Sequence, residues 1–105
     1  MPAYLVVTYD VTNPEVYARY NPGSMPVIGA TLARHGGKIL AAGPGDAATW
    51  LGDQARHTFV VIEFPTVEAA YAWNDDPEYA AVAQHRIAAT ANTFGFIVPG
   101  FAPPA

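Results

Sequence analysis

One stretch constrains the fold more than any other, because it holds a strand and two helix starts in immediate succession. Residues 59–80 read FVVIEFPTVEAAYAWNDDPEYA, and the first six are β-branched or aromatic except for Glu63. A run of this composition and length favours a strand over a helix. Pro65 ends the run, Thr66 can cap a helix, and Asp76 can cap another whose first residue is proline. The stretch therefore predicts a strand followed by a broken helix.

The rest of the chain supplies three more strands and a second helical region. Residues 3–10, AYLVVTYD, have the composition of a strand. Asn13 precedes a proline and an acid, as a helix N-cap does, and the NPG sequence at 21–23 then breaks that helix. We predict these further elements: a restarted helix from Ser24 to Gly36, strands at 38–43 and 92–98, a loop at 44–53 with a candidate edge segment at 49–51, and an end of the broken helix near residue 91.

The predicted elements follow one another in the order βαββαβ, which is the order of the ferredoxin-like split βαβ arrangement. In that arrangement the first and third strands are central in the sheet. Here those two strands are the most apolar runs of the chain. We therefore predict an α+β fold with a four-stranded antiparallel sheet and helices on one face.

Both faces of the predicted sheet are apolar. Apolar side chains alternate to both sides along residues 59–64 and again along residues 94–98, FGFIV. An antiparallel sheet with one wet face alternates polar and apolar residues instead. Charged residues make up 13% of the chain, against a usual value of about 25%. Because the helices cover only one face, we predict a homodimer through the other sheet face, burying about 1,500 Å² or more.

Length and composition exclude several classes of function. At 105 residues we expect one domain, 1–105, with a core at about 3–98 and a proline-rich tail at 99–105. The chain has no cysteine, a net charge of −4 and five scattered basic residues, so we expect neither a thiolate site nor a nucleic-acid surface. No apolar run approaches the roughly 20 residues that span a bilayer, and the N-terminus lacks the features of a signal peptide. We expect a cytoplasmic protein with no membrane partner.

Several short motifs resemble those of one known family over about residues 3–100. They are AYLVV near the start, Pro14, Tyr17, HGG at 35–37, EFP at 63–65, Trp73, PEY at 77–79 and Arg86. The chain resembles the uncharacterised family called domain of unknown function 1330, of the dimeric α/β-barrel superfamily. The resemblance implies a dimer whose two sheets close into a barrel, with a pocket between sheet and helices or at the barrel mouth. It implies no established activity.

Related cofactor-free monooxygenases and lactone isomerases have pockets of this kind. The chain departs from the family pattern at two places. Ala42 stands where the strand after the double glycine often carries an arginine, and residues 21–25 resemble an insertion.

Three side chains are candidates for catalysis. His35 shares a helix side with Ile28 and Leu32 and lies at the helix C-terminus, so it could act as an acid or base, or merely cap the last carbonyls. Arg86 borders the apolar stripe of the last helix and could hold a carboxylate or enolate, or pair with an acid at the edge. Glu63, on a central strand, could abstract a proton, or be a solvated strand-end carboxylate.

Aromatic residues could line a pocket for a flat or terpenoid-like ligand, although such residues also build cores. The candidates for ligand binding are Tyr4, Tyr17, Trp50, Phe59 and Trp73. The three histidines lack a ligand spacing such as HxxxH, so we expect no metal site. No Ser-His-Asp motif, phosphate loop or dinucleotide fingerprint is present, so we expect no cofactor.

These observations favour a cofactor-free enzyme that isomerises, cyclises or oxygenates an apolar oxygenated metabolite. In this hypothesis His35 is the acid or base, Arg86 anchors an anion or carbonyl, and Tyr17 orients the ligand. The alternative is a noncatalytic binding or accessory protein with the same dimer and a similarly lined pocket.

Overall fold

The computed structural model describes residues 1–103, in which four strands form one antiparallel sheet. The strands are β1 (Ala3–Val11), β2 (Lys38–Pro44), β3 (Thr58–Phe64) and β4 (Thr90–Pro99). Their order across the sheet is β2-β3-β1-β4, which confirms that the first and third strands are central. Residues 104–105 of the predicted tail lie outside the described residues.

The helices begin where the sequence signals predict. They are α1 (Pro14–Tyr17), α2 (Met25–Arg34), α3 (Val67–Asn74) and α4 (Pro77–Ala88). At three helix starts a capping side chain accepts a backbone N–H, and the caps are Asn13 at 3.2 Å, Thr66 at 3.0 Å and Asp76 at 2.9 Å. Within residues 1–103 no helix is both long enough and apolar enough to cross a bilayer.

The end of α2 is fixed by a glycine in the left-handed region. Gly36 has a φ angle of 73°, which residues with a Cβ atom rarely adopt. Its N–H donates to the Ala33 carbonyl at 3.2 Å, and the Gly37 N–H donates to the Leu32 carbonyl at 2.8 Å. This pair of hydrogen bonds is the Schellman motif, which satisfies the last carbonyls of the helix and turns the chain into β2.

The hydrophobic core lies between one face of the sheet and helices α2, α3 and α4. On this helix-covered face Leu5 of β1 is aligned with Ile62 of β3 and with Ile97 of β4. The buried core residues of the cluster are Ile28, Leu32, Ile62, Phe64, Ala70, Trp73, Tyr79 and Ala83. All three helices therefore contribute to a single layer on one side of the sheet, which confirms the predicted ferredoxin-like fold.

The other face of the sheet, here called the open face, carries apolar side chains that no helix or strand among residues 1–103 covers. Val6 is aligned with Val61 and Phe96, and Thr8 is aligned with Phe59 and Phe94. Phe94 is 63% exposed and Phe96 is 44% exposed. The prediction that both faces of the sheet are apolar is confirmed.

The segment between β2 and β3 differs from the prediction. Residues 49–51 form no strand, so the candidate edge segment was wrong. A short 3₁₀ turn occupies Gly45–Ala47 instead, and the Trp50 indole N–H donates to the Gly45 carbonyl at 2.7 Å. A hydrogen bond from a side chain to the backbone thus organises this loop. The pattern of polar and apolar residues in the sequence did not indicate this hydrogen bond.

Candidate functional site

A cleft with two connected lobes lies between the helix-covered face of the sheet and the helices. The first lobe has a volume of about 460 Å³ and the second about 330 Å³, both within the range of small-molecule sites. The residues particular to the first lobe include Tyr71, Tyr79, Arg86, Gly95 and Ile97. Those particular to the second include Tyr17, Met25, Ile28, Ile39, Ala42 and His57. Five residues line both lobes: Tyr9, Tyr20, Val60, Ile62 and Trp73.

Four tyrosines from separate parts of the chain meet at the junction of the lobes. The hydroxyls of Tyr9 and Tyr17 lie 2.7 Å apart, and those of Tyr20 and Tyr79 lie 2.8 Å apart. The rings of Tyr17 and Tyr20 are 5.9 Å apart and link the two pairs. Tyr9 lies on β1, Tyr17 on α1, Tyr20 in the turn that follows α1, and Tyr79 on α4. The cluster therefore exists only in the folded chain.

Arg86 projects from α4 onto this tyrosine cluster. Its Cζ atom lies 5.9 Å from the ring centre of Tyr9 and 5.8 Å from that of Tyr20, within cation–π range. The ion pairs within residues 1–103 involve Arg34, His35 and His57, and Arg86 takes part in none of them. A guanidinium remains charged at any ordinary pH, so the first lobe holds a positive charge that no carboxylate of the described chain neutralises.

The hydroxyls of Tyr9 and Tyr20 are hydrogen-bond donors rather than bases. Burial is the main reason why the pKa values of Tyr9 and Tyr20 lie above the ordinary tyrosine value, and the neighbouring tyrosines raise them further. Both hydroxyls are therefore protonated at physiological pH. In each pair one hydroxyl donates to the other, which leaves one proton per pair for a ligand.

Trp73 forms a rigid wall shared by both lobes. It is 3% exposed, its ring centre lies 3.9 Å from that of Tyr79, and its indole N–H donates to the Thr31 hydroxyl at 3.1 Å. The Thr31 hydroxyl in turn donates to the Ile28 carbonyl of its own helix at 2.9 Å. Packing and hydrogen bonding together fix the orientation of this ring.

The structure brings together three of the residues predicted for the site. Arg86 lines the first lobe, Tyr17 lines the second, and Trp73 lines both. The sequence also allowed Arg86 to pair with Glu63 or an aspartate, but no such ion pair forms among the described residues. Arg86 points instead into the aromatic cleft.

Four other predicted site residues lie away from the cleft. Tyr4 and Glu63 are aligned across β1 and β3 on the open face, and Phe59 lies on the same face opposite Thr8. Trp50 is held in the loop before β3 by its hydrogen bond to Gly45. The sequence alone did not show which face of the sheet Tyr4, Glu63 and Phe59 would occupy.

His35 belongs to a polar cluster that joins the end of α2 to the start of α4. Its Nε2 atom lies 2.8 Å from Asp76 Oδ2, and Arg34 Nη1 donates to the same oxygen at 2.9 Å. The His35 hydrogen bond is the largest cause that holds the pKa of Asp76 below its ordinary value. The imidazole lines neither lobe of the cleft, and its partner is a carboxylate rather than the carbonyls that it was expected to cap.

The histidines of the described chain do not converge. His57 Nδ1 lies 3.8 Å from Asp10 Oδ1 at the opposite end of the sheet from the His35 cluster. Among residues 1–103 no three side chains of His, Asp or Glu are grouped as metal ligands would be.

Sequence reasoning missed Tyr9, Tyr20 and Tyr79. A signal for Tyr79 was present, because it lies seven residues before Arg86 and two helical turns place both on one face of α4. Tyr20 carried no such signal, since it lies in the irregular turn between α1 and α2.

Fold and site together define a ferredoxin-like α+β protein with an aromatic, arginine-containing cleft between its sheet and its helices. The chain belongs to the family described as domain of unknown function (DUF1330), whose model matches residues 2–101. The resemblance noted from the motifs is therefore confirmed over nearly the whole chain.

Solved structures share the fold at low sequence identity. A protein of unknown function from Rhodopseudomonas palustris is 23% identical, with a TM-score of 0.71 over 97% of this chain and 84% of that one. A dimeric ferredoxin-like protein of unknown function from Jannaschia sp. is 12% identical, with a TM-score of 0.74 over 95% of this chain and 100% of that one. No curated protein matches the sequence.

One further similar structure has a provisional functional description. It is a protein from Nitrosomonas europaea provisionally described as an antibiotic biosynthesis monooxygenase. It is 14% identical, with a TM-score of 0.60 over 98% of this chain and 94% of that one. At this identity the likeness shows the fold alone.

Proposed function

We propose that the protein is a cofactor-free enzyme that acts on an apolar oxygenated metabolite bound in the cleft. The observation that carries this proposal is Arg86, a guanidinium surrounded by aromatic rings and without an acidic partner in the described chain. Partial burial of an unpaired charge is unfavourable, and a ligand oxygen would offset that penalty. A carbonyl, enolate or carboxylate oxygen is the group that a guanidinium binds best.

The same geometry supports chemistry at a carbonyl. Isomerisation, cyclisation and oxygenation without a cofactor can each proceed through an enolate, whose oxygen carries the negative charge. The enolate forms when the carbon next to the carbonyl loses a proton, and the His57 imidazole, which lines the second lobe, would accept that proton. Arg86 would stabilise that charge, and the free proton of the Tyr20–Tyr79 pair would donate to the same oxygen. The proposal assigns no proton transfer to His35 or Glu63, because neither lines the cleft.

The second candidate is a noncatalytic binding protein with the same cleft. It is favoured by the state of the tyrosines, because Tyr9 and Tyr20 are held protonated by burial and cannot serve as bases near neutral pH. A binding protein needs the arginine anchor and the aromatic walls but no base.

A panel of apolar carbonyl compounds and carboxylates, each with a neutral analogue, would separate the two candidates. Binding is measured by calorimetry, and turnover by mass spectrometry of the products with and without oxygen. We expect Arg86→Met to weaken binding of the anionic or carbonyl ligand about tenfold or more, since a charge-assisted hydrogen bond contributes about 1.5–3 kcal/mol. Arg19→Met, which removes an exposed arginine outside the cleft, is the control.

Product formation by the wild type that Arg86→Met loses would support the enzyme. Binding without turnover would support the second candidate. Equal binding and turnover by the wild type and Arg86→Met would overturn both.

The chain is also proposed to form a homodimer through its open face. Exposed Phe94, Phe96 and Val98 lie on one strand of that face, and Val6 and Val61 extend the apolar surface across the sheet. A two-fold axis would place this surface on an identical copy of itself, as isologous interfaces require. The dimeric description of the Jannaschia protein supports the same assembly here.

A further inference from the structure

We infer that the ligand is an elongated amphiphilic acid, whose carboxylate binds Arg86 and whose apolar tail occupies the second lobe as far as Ala42. This inference rests on the proposed function, namely that the cleft binds a small molecule anchored by Arg86. It deepens that function by naming the class of ligand and the residue that limits its length.

The two lobes are one continuous site. Tyr9, Tyr20 and Trp73 line both of them, so a molecule in one lobe contacts walls that extend into the other. The Arg86 guanidinium lies within 6 Å of the rings of Tyr9 and Tyr20, which places its charge next to the junction. A ligand head at Arg86 is therefore positioned for its tail to enter the second lobe.

The polar groups around Arg86 select an acceptor-rich head group. The guanidinium offers only donors, and the Tyr20–Tyr79 pair has one proton to give. Among the described residues no aspartate or glutamate lines either lobe, so nothing in the cleft repels an anion. A carboxylate matches the planar fork of the guanidinium with two parallel hydrogen bonds.

The second lobe is suited to an apolar tail. Met25, Ile28 and Ile39 line it, and Met adapts readily to flexible apolar groups. Ala42 lies on β2 opposite Val60 in the register, so its side chain is on the helix-covered face. Its small side chain is exposed in this lobe, where a larger residue would shorten the available space.

Calorimetric titration with butanoate, hexanoate, octanoate and decanoate tests this assignment. We expect wild-type affinity to rise about fourfold with each added methylene while the tail is still being buried. Ala42→Leu should stop gaining affinity at a shorter chain than the wild type does. Ala72→Leu, which enlarges an exposed alanine of α3 that does not line the cleft, should follow the wild type throughout.

Octanamide serves as the neutral match for octanoate. We expect the wild type to bind octanamide at least about tenfold more weakly than octanoate, and Arg86→Met to remove that preference.

The outcomes separate the inference from the function on which it rests. Affinity that is independent of chain length, or an Ala42→Leu profile identical to the wild type, would overturn the tail assignment and leave the Arg86 anchor intact. Octanoate binding that is unchanged in Arg86→Met would overturn the anchor, and with it both the inference and the proposed function. Failure of the wild type to bind any of the four acids would overturn the amphiphilic acid as the ligand class.

Discussion

Arg86 is held in place by aromatic rings rather than by acids. The rings of Tyr9 and Tyr20 flank its guanidinium, and the hydroxyl pairs fix those rings in turn. An acid in the same place would neutralise the charge, whereas a ring orients the guanidinium without neutralising it. In the proposed function, Arg86 becomes a binding group because of the side chains that surround it.

The hydrogen bond between Trp73 and Thr31 gives a residue-scale prediction. We expect Thr31→Val to lower the free energy of unfolding by about 1–3 kcal/mol, because the buried Trp73 indole N–H loses its acceptor while the volume is nearly conserved. Thr31→Ser keeps the hydroxyl and loses only a methyl group, at about 0.8 kcal/mol. Urea unfolding of both variants is the measurement. A Thr31→Val variant as stable as the wild type would show that this hydrogen bond contributes nothing.

Sequence patterns identified some of the cleft residues and could not identify others. Arg86 was proposed because it borders the apolar stripe of α4, and Trp73 only because it is aromatic; both side chains line the cleft. Tyr20 lies in a turn without periodicity, and Tyr9 lies on β1, a strand whose two faces both carry apolar residues. Phe59 and Tyr4 were assigned to the pocket for the same reason, because alternation separates two faces without saying which one the helices cover.

At the scale of elements, Asp76 connects α2 to α4. One of its carboxylate oxygens caps α4, and the other accepts from Arg34 and His35 at the end of α2. Arg34 also donates to Glu78 in the first turn of α4 at 2.8 Å. This polar cluster holds together two helices that both line or support the cleft.

The depressed pKa of Asp76 predicts an acid-dependent loss of stability. Because the folded pKa lies below the ordinary value of about 3.9, the stabilisation is complete above that pH and disappears as the pH falls through the folded pKa. We expect Asp76→Asn to keep the helix cap and to show a weaker fall in the free energy of unfolding across this acid range. Urea unfolding at a series of acidic pH values is the measurement. An unchanged pH slope in Asp76→Asn would contradict this role.

The helix starts and the end of α2 followed from local chemistry. The end of α4, predicted near residue 91 and found at Ala88, and the loop before β3 did not. Asn13, Thr66, Asp76 and Gly36 each satisfy backbone groups of the nearest helix, so the residue type alone predicts the boundary. The loop that contains Trp50 is organised by a hydrogen bond from the Trp50 side chain to the carbonyl of Gly45, five residues earlier. Such a contact leaves no periodic signal in the sequence.

At the scale of the whole molecule, the two faces of the sheet have different roles. The helix-covered face holds the cleft, and the open face leaves Phe94, Phe96 and their neighbours exposed, as the surface proposed to bind a second copy. Because apolar residues of the central strands point alternately to both faces, one sheet can line a cleft on one face and present an apolar surface on the other. A sheet with one polar face could leave that face in contact with water and would need no partner.

The proposed dimer gives a prediction for the open face. We expect Phe94→Glu to convert a dimer of twice the 11.1 kDa chain mass into monomers, because a carboxylate in an apolar interface is strongly unfavourable. Light scattering coupled to size exclusion is the measurement. Leu51→Glu is the control, since Leu51 is 94% exposed in the loop before β3 and should leave the mass unchanged. A wild-type protein that is monomeric and stably folded would overturn the dimer.

A crystal structure of the protein grown with octanoate tests most directly whether one sheet face binds a ligand while the other binds a second copy. We expect the octanoate carboxylate to lie about 2.7–2.9 Å from the Arg86 guanidinium nitrogens. We also expect its tail to point toward Ala42 and the open faces of two copies to pack across a two-fold axis. Octanoate bound only outside the cleft, or open faces left in solvent, would contradict this account.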